Sequence, residues 1–199
     1  MTPRMRADAL RNRAKVLAAA ESVFAAKGSS ASTEEVAKEA GVGIGTVFRH
    51  FPTKEALLEA VLIELLARFG REAEELTRAA DPGAAFFGFF RGVVAQAATK
   101  NAVSEALEEA GISARKASAE VGGPLKKALA TLVERAQEAG AVRSDVGLAE
   151  VMALLAGSSH AAASAGADPL VQARALDIVF DGLRPADRGS SNGQPATRR

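Results

Sequence analysis

The amino-acid sequence predicts an all-α fold of about nine helices, in which a long helix joins a small N-terminal part to a larger C-terminal part. Apolar residues recur every three or four positions through most of the 199-residue chain, as on the buried face of an amphipathic helix. No segment of the sequence shows the apolar–polar alternation that predicts a half-buried strand. Residues that cap or stop helices stand between the periodic segments.

The first three predicted helices are closely spaced. The first carries an apolar stripe and ends at Gly28, a residue type that commonly follows a helix C-terminus. Ser32 and Glu35 have the spacing of a capping box, which starts a second helix that Gly41 stops after about two turns. Residues 42–51 form the third segment, directly before a proline. The stripe of the first helix consists of Leu10, Ala14, Leu17, Ala20 and Phe24.

A long fourth helix leads into the C-terminal part. Thr53 is in position to cap it, and the helix is predicted to run to about residue 79. A turn at residues 80–84 then separates it from a very apolar helix that contains four phenylalanines. The apolar stripe of the fourth helix consists of Leu57, Leu58, Val61, Leu62, Leu65, Leu66 and Phe69.

The remaining helices are shorter. Gly111 and the turn-forming sequence Gly-Gly-Pro at residues 122–124 are predicted to break residues 101–123 into pieces. Residues 185–199 are polar and rich in Gly, Pro and Ser, which predicts a disordered tail. Further helices are predicted over residues 125–139, 148–165 and 169–183.

The composition excludes several kinds of site. The chain has no cysteine, which removes disulfides, thiolate metal sites and cysteine nucleophiles. Its two histidines, His50 and His160, are too distant in sequence to suggest a histidine-rich metal site. We therefore expect neither a metal nor a cofactor. The sequence has no apolar leader and no apolar run that could cross a bilayer, so we expect a cytoplasmic protein without membrane contact.

Charge is unevenly distributed along the chain. Residues 1–54 hold nine Lys and Arg against five Asp and Glu, whereas residues 55–199 hold 16 against 19. Residues 1–9 are expected to form a basic N-terminal arm. This pattern describes a basic module on a mildly acidic body and favours an anionic partner for the first part, although chance alone gives such asymmetry in a short segment.

The second and third helices have the form of a helix-turn-helix, whose second helix can enter the major groove of DNA. Gly45 would let another backbone approach closely, and Thr46 offers a hydroxyl to phosphate or a methyl to thymine. Arg49 can pair with guanine through two hydrogen bonds. His50 and Lys54 stand where donors would hold phosphates. Val47 and Phe51 are expected to face inward.

The stretch TEEVAKEAGVGIGTVFRHFPTKEALL, residues 33–58, resembles the DNA-binding signature of the TetR family of transcriptional regulators. The resemblance covers roughly residues 10–58, with the motif at about 33–52. It implies phosphate contacts from positions 32, 46, 48, 50 and 54, and base contacts from the recognition helix. The predicted DNA-binding residues are Ser32, Thr33, Gly43, Ile44, Gly45, Thr46, Phe48, Arg49, His50 and Lys54.

Two positions depart from the family pattern. The family usually has tyrosine where this chain has Phe48, so a hydroxyl contact to phosphate is lost and Phe48 is expected to belong partly to the core. Ile44 stands where polar or basic residues are common and can offer a base only apolar contact, such as to a thymine methyl.

The C-terminal half lacks a catalytic constellation, and we predict that the protein is not an enzyme. The sequence Ser-Ser-His at 158–160 does not suggest nucleophilic catalysis, because adjacent residues on a helix diverge by about 100°. The clustered phenylalanines indicate either an ordinary core or an apolar ligand pocket with His160 or Gln96 as its rare polar group. The predicted ligand-binding residues are Phe86, Phe90, Val94, Met152, Leu155 and His160.

The last two predicted helices have the features of a dimer interface. Small residues fill one of them, and an apolar stripe follows the other, so two helices from each of two chains could form a four-helix bundle. This half resembles the ligand-binding and dimerisation domain of SbtR-like TetR regulators, which implies an unidentified small apolar effector. The stripe consists of Leu170, Ala173, Leu176, Val179 or Phe180, and Leu183.

The sequence thus predicts a DNA-binding domain at residues 10–58 and an effector-binding and dimerisation domain at 59–184. The resemblance implies a nucleoid-associated homodimeric repressor that a small molecule releases from a palindromic double-stranded DNA operator. The alternative is a helical ligand-binding or scaffold protein that has kept the fold and lost DNA binding. The departures at Phe48 and Ile44 favour that alternative, whereas Arg49 and Lys54 argue against it.

Overall fold

The structure is a computed structural model that describes residues 3–163 and 168–186, with side chains from residue 7 onward. Within these ranges it contains ten α-helices, one 3₁₀ turn and no strand. The elements are α1 (Pro3–Lys27), the 3₁₀ turn (Gly28–Ser30), α2 (Thr33–Ala40), α3 (Ile44–His50), α4 (Lys54–Leu76), α5 (Pro82–Ala95), α6 (Ala97–Glu109), α7 (Ala114–Ala117), α8 (Ala119–Glu138), α9 (Leu148–Ala163) and α10 (Pro169–Leu183).

Caps predicted from the sequence set the bounds of the N-terminal helices. The Ser32 hydroxyl accepts a hydrogen bond from the Glu35 amide at 3.2 Å, and the Glu35 carboxylate accepts one from the Ser32 amide at 2.9 Å. Gly41 ends α2 with a φ of 64°, which a side chain would disfavour. The Thr53 hydroxyl accepts from the Ala56 amide at 3.1 Å and starts α4. The capping box, the glycine stop and the Thr53 cap are therefore confirmed.

The predicted break at residues 122–124 is wrong. Helix α8 begins at Ala119 and continues through Gly122, Gly123 and Pro124, where a turn was predicted. Pro124 lies early in the helix, so its missing amide removes a single helical hydrogen bond, to the carbonyl of Glu120. The described residues form ten α-helices, where about nine were predicted.

The ends of the chain were predicted as an arm and a tail. Helix α1 begins at Pro3, so residues 3–9 of the predicted arm are helical. Most of the predicted tail, from residue 187 onward, lies outside the described residues.

The N-terminal helices pack around one hydrophobic core, which we call the N-terminal core. Phe24 from α1, Val36 from α2 and Val47 from α3 are fully buried in it, together with residues from the first half of α4. Helix α6, far along the chain, contributes Val103 and Leu107, both completely buried. The packing therefore crosses the predicted domain limit at residue 58.

A second cluster, the C-terminal core, lies between the second half of α4 and helices α5, α8, α9 and α10. Aromatic rings dominate it: Phe90 and Phe180 meet edge to face with centroids 5.4 Å apart, and Phe86 lies 6.3 Å from Phe90. These three rings are almost fully buried. The ordinary-core interpretation of the phenylalanine cluster is thus correct for Phe86 and Phe90.

A polar link joins the two cores. The guanidinium of Arg68 on α4 donates to both carboxylate oxygens of Glu21 on α1, at 2.7 and 3.1 Å. It also donates to the side-chain oxygen of Gln96 at 2.6 Å. Gln96 lies at the break between α5 and α6. The hydrogen bonds that Arg68 donates to Glu21 raise the pKa of Arg68, as expected for a partly buried bidentate pair.

Candidate nucleic-acid interface and cavity

Helix α3 presents one face to solvent and one to the N-terminal core. Val47 is fully buried, and Phe51, just past the helix, is 4% exposed, which confirms their predicted inward orientation. Ile44, Gly45, Phe48 and Arg49 are exposed and share a side of the helix because positions i and i+4 lie above one another. We call these four residues the α3 face.

The glycine of the α3 face has no role in packing. A Cβ built on Gly45 meets no atom within 4 Å, so the chain itself does not require a glycine there. Gly41, in contrast, needs its positive φ for the turn. Gly45 destabilises the seven-residue helix by about 1 kcal/mol relative to alanine. In return, it leaves open space in which a second molecule can come close to the backbone.

The apolar part of the α3 face projects outward. Phe48 is 43% exposed and Ile44 is 37% exposed. The expectation that Phe48 belongs partly to the core is wrong, because Val47 and Phe51 fill that side of α3 instead. The two side chains therefore offer an apolar surface that a partner could cover.

Polar residues predicted to hold phosphates flank α3 with different accessibility. Ser32 and His50 are half-buried, and Thr46 lies in the first turn of α3, also half-buried. Thr33 is only 8% exposed, so its side chain is not presented and its backbone amide at the start of α2 is the group left for contact. The Lys54 ammonium donates to the Ser29 carbonyl at 2.6 Å and retains two further N–H donors.

Acidic groups near this surface are held by donors. Lys27 forms an ion pair with Glu35, and the hydrogen bond from Lys27, followed by that from the Ser32 amide, lowers the pKa of Glu35. The backbone amide of Glu55 at the start of α4, followed by the Thr53 hydroxyl, lowers the pKa of Glu55. Arg13 stacks over the Phe51 ring at 5.2 Å. The carboxylates of Glu35 and Glu55 are thus each held by donors of the N-terminal helices.

A cavity of about 680 Å³ lies between α5, α9 and α10. Of the six residues predicted to bind a ligand, Val94 alone lines it. Phe86 and Phe90 belong to the C-terminal core, and Leu155 is half-buried against that core. Met152 and His160 are exposed on α9. The predicted pocket composition is therefore not brought together.

Small residues line most of the cavity, and sequence reasoning missed them as a site. Their signal was the run of Ala, Gly and Ser in α9, which was interpreted as a surface for close helix packing. They are Ala153, Gly157, Ser158, Ala161 and Ala162 on α9, Ala95 on α5, Ala98 on α6, and Ala173 and Ala175 on α10.

The predicted interface stripe of α10 divides between two environments. Leu176 and Leu183 are buried in the C-terminal core, as is Phe180. Leu170 of the stripe is 79% exposed, and Val171 and Ile178, which lie outside the stripe, are 62% and 65% exposed. Part of the predicted stripe thus closes its own chain's core, whereas Leu170 lies on the outer face.

Comparisons with known proteins assign both halves. Residues 16–61 match the family model described as bacterial regulatory proteins, tetR family. Residues 81–185 match the model described as transcriptional regulator SbtR-like, C-terminal domain. Within the described ranges, no helix is long and apolar enough to cross a membrane.

Solved structures are similar over nearly the whole chain. A TetR transcription regulatory protein from Mycobacterium vanbaalenii is 39% identical, with a TM-score of 0.76 over 91% of this chain and 99% of that chain. The TetR transcriptional regulator SCO0520 from Streptomyces coelicolor is 34% identical, with a TM-score of 0.73 over 87% of this chain and 99% of that chain.

Similarity to a curated relative covers a shorter segment. The HTH-type transcriptional regulator UidR from Escherichia coli K12 is 34% identical over 79 residues, which is 37% of this chain and 40% of that protein. The two family models and the similarity along the full length of the solved structures are decisive: the chain belongs to the TetR family of DNA-binding transcriptional regulators, with a C-terminal domain of the SbtR-like type.

Proposed function

We propose that the protein is a homodimeric repressor that binds a palindromic operator through the α3 face and is released from it by a small molecule. The observation that carries this proposal is the α3 face itself. It combines open space beside Gly45, two exposed apolar side chains and Arg49. The buried side chain of Val47 holds the opposite side of the helix in the N-terminal core.

Base reading on this proposal divides between two chemistries. Arg49 donates to guanine O6 and N7 in the major groove. Ile44 and Phe48 contact thymine methyl groups, since neither side chain can form a hydrogen bond. Gly43 and Gly45 let the backbone of α3 sit deep in the groove.

Phosphate contacts position the helix. Ser32, Thr46 and His50 supply side-chain donors around α3, and the amide of Thr33 supplies one from the start of α2. Lys54 contributes a cation at the start of α4, tied to the DNA-binding domain by its hydrogen bond to Ser29. These contacts carry affinity rather than sequence preference.

Dimerisation on this proposal uses α9 and α10. Their outer faces expose large apolar side chains that the same chain does not cover: Met152, Leu154, Leu170, Val171 and Ile178. A two-fold axis through these helices makes a four-helix bundle and places two α3 helices for successive major grooves, roughly 34 Å apart.

The test is selection of bound fragments from a random DNA library at two salt concentrations, about 50 and 200 mM. The proposal predicts enrichment of a palindrome at both concentrations. Binding that enriches no sequence and disappears at the higher concentration would refute sequence-specific recognition.

The exposed Ile44 and Phe48 give one reason to weigh a second function, a ligand-binding protein of the same fold without DNA recognition. Salt distinguishes the two. Operator binding weakens by orders of magnitude over this salt range, whereas binding of an apolar ligand changes little.

A further inference from the structure

We infer that the cavity between α5, α9 and α10 is a binding site for a small molecule with an apolar body and one anionic group. The assignment of this molecule as the effector rests on the proposed function. The cavity has a volume of about 680 Å³, within the range of about 300–1,000 Å³ usual for drug-sized ligands. Its floor reaches Val94 and Leu176, which are only 8% and 7% exposed, so it is a recess into the C-terminal core.

The lining specifies the apolar body. The cavity exists because many of its lining residues are alanine or glycine, which fill little volume. Its larger apolar walls are formed by Val94, Leu154, Val171, Leu176 and Val179. The volume is thus created by small residues on three helices rather than by a missing side chain at one point. A rigid apolar molecule would bury its surface there with little loss of its own conformational freedom.

One end of the cavity specifies the anion. Arg91 is the only charged residue among the described residues that line it. Its guanidinium lies 5.1 Å from the centre of the Phe180 ring and donates to Asp177 at 3.1 Å, so two contacts orient it. An arginine has five N–H donors, and the Asp177 contact uses one of them. A carboxylate or sulfonate on the ligand can accept from the remaining donors.

The position of the cavity connects it to the DNA-binding half. Ala95 and Ala98 line the cavity on either side of the break between α5 and α6. Gln96 at this break accepts from Arg68, which in turn binds Glu21 on α1. A ligand pressing on α5 and α6 therefore acts on a break that is hydrogen-bonded to the first helix of the N-terminal core.

A second copy of the chain is the competing occupant, because Leu154 and Val171 both line the cavity and belong to the proposed dimer face. The depth of the recess and the lone fixed guanidinium favour a small anionic molecule over a flat helix surface. Dependence of binding on protein concentration distinguishes the two occupants.

The experiment uses a matched pair of fluorescent probes, 8-anilino-1-naphthalenesulfonate and its neutral analogue N-phenyl-1-naphthylamine, with the full-length protein. Gly157→Leu places a side chain in the cavity, since a Cβ there meets no atom within 4 Å. We expect it to weaken binding of both probes by about tenfold or more. Gly88→Leu is the control, because Gly88 is also helical and open but does not line the cavity.

Arg91→Gln tests the anionic group. We expect it to weaken binding of the sulfonate probe by about threefold to fivefold, because the lost ion pair would be half-exposed. Binding of the neutral probe should not change. Arg71→Gln, which removes a cation of similar exposure from α4, should change the affinity for neither probe.

Three results would overturn the inference: probe binding that survives Gly157→Leu, equal loss in Gly88→Leu, or binding that decreases as the protein self-associates. The last result would assign the cavity to the second copy. Operator selection with the parent protein, without probe, separates this inference from the proposed function: a palindrome enriched by a protein that binds neither probe would overturn the inference and leave the proposed function standing.

Discussion

The two cores of this protein differ in how their functional surfaces arise. In the N-terminal core, short helices with caps close together in sequence hold α3, and the candidate base-reading residues lie on its outer face within residues 44–49. In the C-terminal core, aromatic rings from α5 and α10 pack across nearly the whole domain, and the candidate site is a space left between three helices. A local motif therefore reveals the first site, whereas the second depends on tertiary packing.

The largest expected effect tests whether α6 belongs to the N-terminal core. Leu107→Ala removes a fully buried side chain and should lower the free energy of unfolding by about 2–5 kcal/mol, measured by urea denaturation. Amide hydrogen exchange should increase in α1 and α2, although residue 107 lies in the C-terminal half of the sequence.

Leu132→Ala is the matched control, since Leu132 is 1% exposed in the C-terminal core. It should cost a similar free energy but increase exchange in α5 and the second half of α4. The same exchange pattern in both variants would contradict the division into two cores.

The next effect distinguishes base recognition from phosphate binding within the N-terminal half. Arg49→Ala should cost about 1–3 kcal/mol of operator affinity and relax preference at one base position. Lys54→Ala should weaken binding to all DNA sequences evenly and reduce the slope of log affinity against log salt concentration by about one unit. Competition binding against single-base variants of the operator measures both. Selectivity unchanged in Arg49→Ala would remove this residue from base reading.

The link between the cores should have a smaller effect. A double-mutant cycle of Arg68→Met and Gln96→Ala should give a coupling free energy of about 0.5–1 kcal/mol in urea denaturation. The cycle of Arg71→Met and Glu64→Ala, a pair within α4, is the control and should give about 0.5 kcal/mol or less. A zero coupling for the first pair would show that the break at Gln96 is not tied to α4.

The smallest effect concerns Lys100 on α6. Burial lowers the pKa of Lys100, whose ammonium donates to the amide oxygen of Asn101 at 3.2 Å. Lys100→Met should raise the Tm by about 1–3 °C at neutral pH, because it removes the cost of desolvating the ammonium.

The pH dependence has a definite sign. The unfolded chain holds the Lys100 proton up to a higher pH than the folded chain, so stability rises with pH above the folded pKa. The advantage of Lys100→Met should therefore shrink as the pH rises through that value. An advantage that grows with pH would contradict the assigned cause.

The sequence was informative where the determinants are local. The Ser32–Glu35 box, the Gly41 stop and the Thr53 cap fix chain direction through contacts three residues apart, and all appear as predicted. Val47 and Phe51 were assigned inward correctly. Phe48 was not, because periodicity cannot show which of two neighbouring aromatic residues the core accepts.

Non-local packing explains the other errors. Leu107 joins the N-terminal core across about fifty residues of intervening chain, which no periodicity reports. On α10, Leu176 and Phe180 face inward because α5 presents Phe90 to them, so the outward face falls to Val171 and Ile178. The cavity likewise results from where α9 lies against α5, and the run of small residues could only indicate close approach.

The most direct test of the central claim is a hydroxyl-radical footprint of the protein on its selected operator. A dimer that reads DNA with two α3 helices predicts two protected half-sites related by two-fold symmetry, with centres about one helical turn, or a small multiple of it, apart. A single protected site without a symmetric partner, or uniform protection along the fragment, would contradict recognition by a dimer through α3.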